Sequence, residues 1–257
     1  MQKRIVTSRG NSTLKRLLSL MRPHSRKKAD TFLIEGPKFI NDAINGGIEI
    51  ITLAVSEEYA GAIPEIKGST EVIRITHKLF GELSDTSTGQ GIVAEARTRW
   101  REIGYLTGTE KHLVAAWRVQ DPGNMGTIIR SCAAFGIGGV VVGPESANPF
   151  SPKTARASAG AVMHVPLCEE KNLDSLLEIL RTSGYSTFWT GGSGSKTCQE
   201  LEKTGPAAFF IGSEGSGFSE HERELIGSGI RIPMPGKIES LNAGVAASII
   251  AYELTKR

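Results

Sequence analysis

Two hydrophobic periods alternate along this chain, one helical and one extended, and together they divide it into short helices and strands. Leu14, Leu17, Leu18 and Met21 fall at helical spacing within Ser12 to Met21. Thr31 to Glu35 reads as a strand ending at Gly36, and Pro37 suits the first turn of a helix that Gly46 and Gly47 stop. Strands are predicted over 48–55, 71–75 and 91–96, with a helix starting at Thr76. Residues 97–110 are polar and contain Gly104 and Gly108, so they are the best candidate for a linker. The pattern then restarts. Strands are predicted over 112–117, 139–143, 186–190 and 207–212, with a short one from Ile230 to Pro233. Helices are predicted from Gly126 to Phe135 and over 172–181, where Leu173, Leu176, Leu177 and Leu180 share a face. A further helix starts near Ser219, which forms a capping box with Glu222. The last runs from Asn242 to Leu254 and is apolar enough to expect burial. Strands alternating with helices imply an α/β fold, a sheet with helices packed on it.

Composition adds mainly exclusions. The 257 residues are 39% hydrophobic and 22% charged, which argues against disorder. No apolar run is long enough to span a bilayer, and the basic start lacks the apolar core of a secretory signal. Cys132, Cys168 and Cys198 are widely spaced and form neither a disulfide framework nor a zinc site. A cytoplasmic protein with reduced thiols, no metal and no membrane partner is expected. Charge is more informative once placed. Lys3, Arg4, Arg9, Lys15, Arg16, Arg22, Arg26, Lys27 and Lys28 crowd the first 28 residues, where no acidic residue occurs, although the whole chain carries only +3. A basic front end on a mildly acidic body points to a polyanionic partner.

Three segments carry candidate chemistry. Asp121-Pro-Gly-Asn-Met-Gly-Thr-Ile-Ile-Arg130 joins a strand to a helix and sets Arg130 among apolar residues. Gly212-Ser-Glu-Gly-Ser-Gly217 follows a buried strand, with glycines that permit close backbone approach to a ligand. Ile232-Pro-Met234 leads to Ser240-Leu-Asn242 at a helix start, a place that can also hold a polar ligand group. The stretch Gly191 to Thr197 imitates a phosphate loop, but Thr190 and Ser195 stand where its two glycines must be.

Taken together and in this order, these segments resemble the SpoU (TrmH-like) branch of the SPOUT RNA methyltransferases. Asn124-Met-Gly126 with Arg130, Gly212 to Gly217, and Ile232-Pro-Met234 with Ser240-Leu-Asn242 are similar to the family's three motifs, and Pro149 to Gly160 to the segment after the first. Residues 1–98 are more loosely similar to the family's ribosomal-protein-like α/β RNA-binding domain, through the early Leu helix and Glu35-Gly-Pro-Lys38. The resemblance implies a substrate-binding domain over 1–98, a linker over 99–110 and a catalytic domain over 111–257. It implies a mainly parallel sheet with a C-terminal trefoil knot, and a homodimer whose active site lies close to the partner subunit.

The implied reaction moves a methyl group from S-adenosylmethionine to a ribose 2′-hydroxyl of rRNA or tRNA, with rRNA favoured. The alternative is an inactive RNA-binding protein on the same fold. The resemblance puts Gly212, Ile232 and Leu241 at the cofactor, with Gly217, Thr190 and Gly191 nearby. Arg130 would sit near the reacting oxygen, stabilising developing charge and gripping a phosphate. Asn124, Ser240 and Asn242 would orient ribose and Arg130, and Glu214 would hold Arg130 or its own loop. Lys15, Arg16, Arg22, Arg26, Lys27, Lys28 and Lys38 would contact RNA. Lys38 stands where Arg is more usual in the family, and Ala243-Gly244 where Val-Ser is.

Overall fold

The computed structural model describes residues 5–22, 30–66, 68–84, 89–201, 205–238 and 240–256. The chain forms two compact units, one of residues 1–99 with Phe150–Pro152, the other of residues 100–149 and 153–257.

In the first unit, β1 (Ile5–Val6), β2 (Thr31–Glu35), β3 (Ile50–Ser56), β4 (Glu71–Ile75) and β5 (Ile92–Arg97) form a sheet in the order β1-β4-β3-β5-β2. It is mixed: β4 runs parallel to β1 and β3, while β5 runs antiparallel to β2 and β3. Among the described residues its helices are α1 (Ser12–Leu20), α2 (Pro37–Asn45) and the one-turn α3 (His77–Phe80). Asn11 caps α1 by accepting from Leu14 N. Leu14, Leu17 and Leu20 pack with Ile75, Leu79 and Val93, so the predicted helix is docked on this unit's core.

The second unit has a seven-stranded sheet in the order β10-β12-β9-β11-β6-β7-β8. The strands are β6 (Leu113–Ala116), β7 (Gly139–Val142), β8 (Leu167–Glu169), β9 (Ser186–Thr190), β10 (Lys196–Thr197), β11 (Ala207–Ile211) and β12 (Ser228–Arg231). Every pairing is parallel. Each residue of β6, β7 and β11 is buried, as expected of parallel strands covered on both faces. The helices are α4 (Ile103–Thr107), α5 (Pro122–Ala134), α6 (Pro152–Ala157), α7 (Leu173–Thr182), α8 (Glu220–Ile226) and α9 (Ala243–Thr255). Leu113, Trp117, Leu176, Leu180 and Phe210 meet in one core.

β12 lies between β9 and β10, which are themselves joined by residues 191–195. That loop crosses β12 closely: Gly191 N donates to Ile230 O at 3.0 Å, and Arg231 donates to Gly194 O at 2.9 Å. A Cβ at Gly194 would collide with the Ile230 backbone.

The structure corrects four expectations. Residues 100–110 belong to the second unit and are not a linker: α4 buries Leu106, and Arg101 N donates to Leu167 O at 2.7 Å. Their charges and glycines hid a one-turn helix. β12 starts at Ser228, earlier than its apolar residues suggest, because Gly229 packs under the Trp189 ring without a side chain of its own. β1, β8 and β10 are too short to register as periodic runs. The last helix keeps an open face, with Val245 at 44% and Tyr252 at 50% exposure. The three cysteines are buried and unpaired, and burial raises each thiol's pKa, that of Cys168 to about 11.

Candidate active site

Because the strands of the second unit are parallel, the segments leaving β6, β9, β11 and β12 open along one edge of the sheet, the usual place for a ligand in such folds. A cavity of about 350 Å³ lies there. Thr190, Gly191, Gly212, Gly217, Ile232 and Leu241 all line it, so the six positions expected near a cofactor share one wall. Glu214 and Ser240 line it as well. A second cavity of about 340 Å³ is bounded by Arg118 to Asp121 and Glu145. Ser213, Glu214, Gly215, Ser216 and Ala243 line both, so the glycine-rich turn after β11 is the partition between them.

A directed hydrogen-bond chain fixes this partition. Asn242 caps α9, its Oδ1 accepting from Gly244 N at 3.0 Å and Val245 N at 3.2 Å. That leaves its Nδ2 to donate to Asn124 Oδ1 at 2.7 Å. Asn124, buried near the start of α5, donates in turn through Nδ2 to Glu214 Oε1. Asp121 caps α5 by accepting from Asn124 N at 2.9 Å. Two helix N-termini thus orient two amides, and the amides hold one carboxylate. Among the described residues the other carboxylate oxygen, Oε2, takes no hydrogen bond.

Arg118 was not singled out by sequence reasoning and Glu222 was read only as the capping-box partner of Ser219, yet together they brace the same turn. Arg118 donates to Glu222 Oε1 at 2.6 Å and Oε2 at 2.9 Å, and to Gly217 O at 3.1 Å. Glu222 also completes the capping box of α8 with Ser219. The Arg118 hydrogen bonds hold the Glu222 pKa down, at about 2. Arg118 adopts a left-handed φ of 59°, a costly conformation for a non-glycine residue, retained where it aims the guanidinium at the turn. Its only sequence signal was a cation directly after a buried strand.

Arg130 stands apart from this cluster. Six residues beyond Asn124, it lies about 120° round α5 and about 9 Å along it. It is exposed and lines neither cavity, and Ile128, Ile129 and Cys132 are buried on other faces of the helix. Glu214 is held by Asn124 and Asn242 rather than by Arg130. Among the described residues no group of three or more His, Cys, Asp or Glu could hold a metal ion, and no helix is long and apolar enough to cross a membrane.

Against known families, residues 111–252 match the model of the SpoU rRNA methylase family. The chain belongs to that family. Both cavities lie within the matched SpoU segment, and residues 11–94 match an MRM3-like substrate binding domain. The chain is 29% identical over 250 residues to the 23S rRNA (guanosine(2553)-2′-O)-methyltransferase RlmP of Bacillus subtilis, covering 97% of this chain and 98% of that one. It is similar to an AdoMet-bound rRNA methyltransferase from Sinorhizobium meliloti, with a TM-score of 0.86 and 27% identity over 99% and 98% of the two chains. It is also similar to the AdoMet complex of the SpoU methyltransferase AviRb from Streptomyces viridochromogenes, with a TM-score of 0.85, 27% identity and coverage of 95% and 97%.

In the first unit of this SpoU chain, Lys15, Arg22 and Lys38 are exposed. Arg16 is committed elsewhere. It pairs with the buried carboxylate of Glu95 and donates to Thr52 Oγ1 at 3.0 Å. Arg26, Lys27 and Lys28 lie outside the described residues.

Proposed function

We infer that this protein methylates a ribose 2′-hydroxyl of rRNA with S-adenosylmethionine as the methyl donor. The observation that carries this reading is the shared wall: one glycine-rich turn, bearing one carboxylate, separates two cavities. The first cavity fits the donor. Ile232, Met234 and Leu241 offer an apolar slot for a purine, while residues 190–193 and 212–217 offer backbone groups to a polar tail. Gly212, Ile232 and Leu241 would hold it, with Gly217, Thr190 and Gly191 beside them. When bound, S-adenosylmethionine supplies an electrophilic methyl group on a sulfonium.

The second cavity takes the acceptor nucleoside. Glu214 Oε2 faces the work of accepting a hydrogen bond from the hydroxyl, while Asn124 and Asn242 keep the carboxylate in place. Ser240, which lines the first cavity and not the second, orients the ribose from the donor side. In-line displacement depends on this alignment, so positioning supplies much of the rate. Arg130 stabilises the developing alkoxide and the adjacent phosphate, a safer role for a guanidinium than that of a base. RNA is required because DNA lacks the nucleophile.

The protein acts as a homodimer in the cytoplasm, with Arg130 delivered to the partner's site. Support comes from the open face of α9. Val245, Ile249 and Tyr252 recur at helical spacing, and Phe135 stacks edge-on against Tyr252 at 5.7 Å, next to the exposed Arg130 helix. The C-terminal part of the chain threads a loop to make a trefoil knot. The five-residue loop that passes over β12 from β9 to β10 supports this. Lys15, Arg22, Arg26, Lys27, Lys28 and Lys38 grip RNA phosphates. An inactive RNA binder gains no support, since Asn124, Arg130, Glu214, Ser240 and Asn242 are all present.

The test is incorporation of tritiated methyl groups from labelled S-adenosylmethionine into rRNA and tRNA, followed by nucleoside analysis. A 2′-O-methylated nucleoside from rRNA is expected. Binding of S-adenosylhomocysteine without transfer to any RNA would overturn the enzymatic reading.

A further inference from the structure

The wall of the first cavity carries one cation among its described residues, Arg223, and one anion, Glu214. They belong to different surroundings. Glu214 sits with Asn124 and Asn242 on the partition, whereas Arg223 sits with Trp189 and Ser193. Arg223 projects from α8 with its guanidinium carbon 4.9 Å from the centroid of a Trp189 ring. Stacking fixes the plane of the fork and leaves its N–H edge for a ligand. Its contact with Ser193 Oγ is long, at 3.5 Å. Its Nε is shielded from solvent and has no hydrogen-bond partner. The neighbouring acid Glu222 is already taken by Arg118. A buried N–H without an acceptor, on an otherwise unpaired cation in a ligand cavity, marks a missing anion.

We propose that Arg223 binds the carboxylate of the amino-acid tail of S-adenosylmethionine and of its product. The inference rests on the S-adenosylmethionine reading above. A carboxylate can accept from two N–H groups of the fork at once, the favoured geometry for such a pair. Trp189 holds the guanidinium in place, so little side-chain entropy is lost when the ligand arrives. Arg223 thereby anchors the tail beside Ser193 and Trp189. It is a binding residue and takes no part in the transfer.

The test compares two ligands by isothermal titration calorimetry on the full-length protein. S-adenosylhomocysteine carries the carboxylate, and 5′-methylthioadenosine has the same nucleoside and thioether without it. Arg223→Gln should weaken S-adenosylhomocysteine binding by about tenfold to a hundredfold, the range for a hydrogen-bonded charge. It should leave 5′-methylthioadenosine within about twofold. Arg223→Lys should fall between wild type and Arg223→Gln, because it keeps the charge and loses the fork. Unchanged S-adenosylhomocysteine affinity in Arg223→Gln would overturn the proposal. So would equal weakening of both ligands, which would show that Arg223 only supports Trp189. If the wild-type protein binds neither ligand, the donor assignment itself fails and takes this inference with it.

Discussion

The two units each contain a carboxylate held by polar side chains, and the two clusters are built to opposite ends. In the first unit Glu95 is 2% exposed. Its Oε1 accepts from Thr31 at 3.1 Å, and its Oε2 accepts from Thr52 at 2.9 Å and from Arg16. Arg16 extends the network toward Glu71, 3.6 Å away, which also accepts from Thr13. Both carboxylate oxygens of Glu95 are used, and the charge is neutralised in place. In the second unit Glu214 is held by neutral amides through one oxygen, and it borders two cavities. A closed network with its own counterion ties a helix to a sheet. An open one, fixed from behind by helix caps, keeps an acceptor available to a ligand. Arginine therefore means different things in the two places: Arg16 serves the fold, and Arg223 and Arg130 remain available.

This contrast can be broken experimentally. The largest effect is expected from Arg130→Ala, which should lower methyl transfer by about a hundredfold to a thousandfold. Affinity for S-adenosylhomocysteine should stay within a few fold, as read by calorimetry, and a parallel loss of cofactor binding would remove Arg130 from the reaction. Arg16→Met should do the reverse. It strands the Glu95 carboxylate and should cost roughly 2–4 kcal/mol in urea denaturation, below the full cost of a buried pair because Arg16 is half-exposed. Its S-adenosylhomocysteine affinity should be unchanged. Asn242→Ala spans both categories. Loss of the α9 cap should cost about 1 kcal/mol, and transfer should fall about tenfold as Glu214 loses its brace.

Two smaller effects sharpen the comparison. The Glu222 pKa is about 2 in the folded protein, below the ordinary value of 4.5. Its contribution is therefore fully present above the unfolded carboxylate range and is lost as pH falls toward 2. Glu222→Gln should flatten the acid limb of stability against pH, and an unaltered limb would contradict the Arg118 clasp. For RNA binding, Lys15→Ala and Lys38→Ala should each reduce the salt slope by roughly 0.7, measured by filter binding across salt concentrations. Deleting residues 1–28 would be a poorer test, because it removes Leu14 and Leu17 from the core of the first unit.

Much of the architecture was legible in the pattern. The strands at 31–35, 71–75 and 186–190, the capping box at Ser219 and the start of the last helix near Asn242 all follow from local rules, and they stand where those rules put them. Strands of two or three residues escaped, since so short a segment has no period, and β12 was foreseen from Ile230 but not its start at Ser228, because Gly229 removes the apolar signal there. Family resemblance gathered the glycine turns and Asn124 into one site. It did not foresee that Glu214 would bind amides instead of Arg130, or that Arg16 would face Glu95.

The chain's own order of residues determined where helices and strands begin, because caps, prolines and hydrophobic period act over a few positions. It also determined the chemical inventory, an acid, two amides and several arginines near strand ends. Which arginine meets which acid was decided only in three dimensions. Arg16 and Glu95 are 79 residues apart, Arg118 and Glu222 are 104, and Asn242 and Asn124 are 118. Pairing at such separations depends on strand order and on which face of a helix is buried, and no local pattern carries that information.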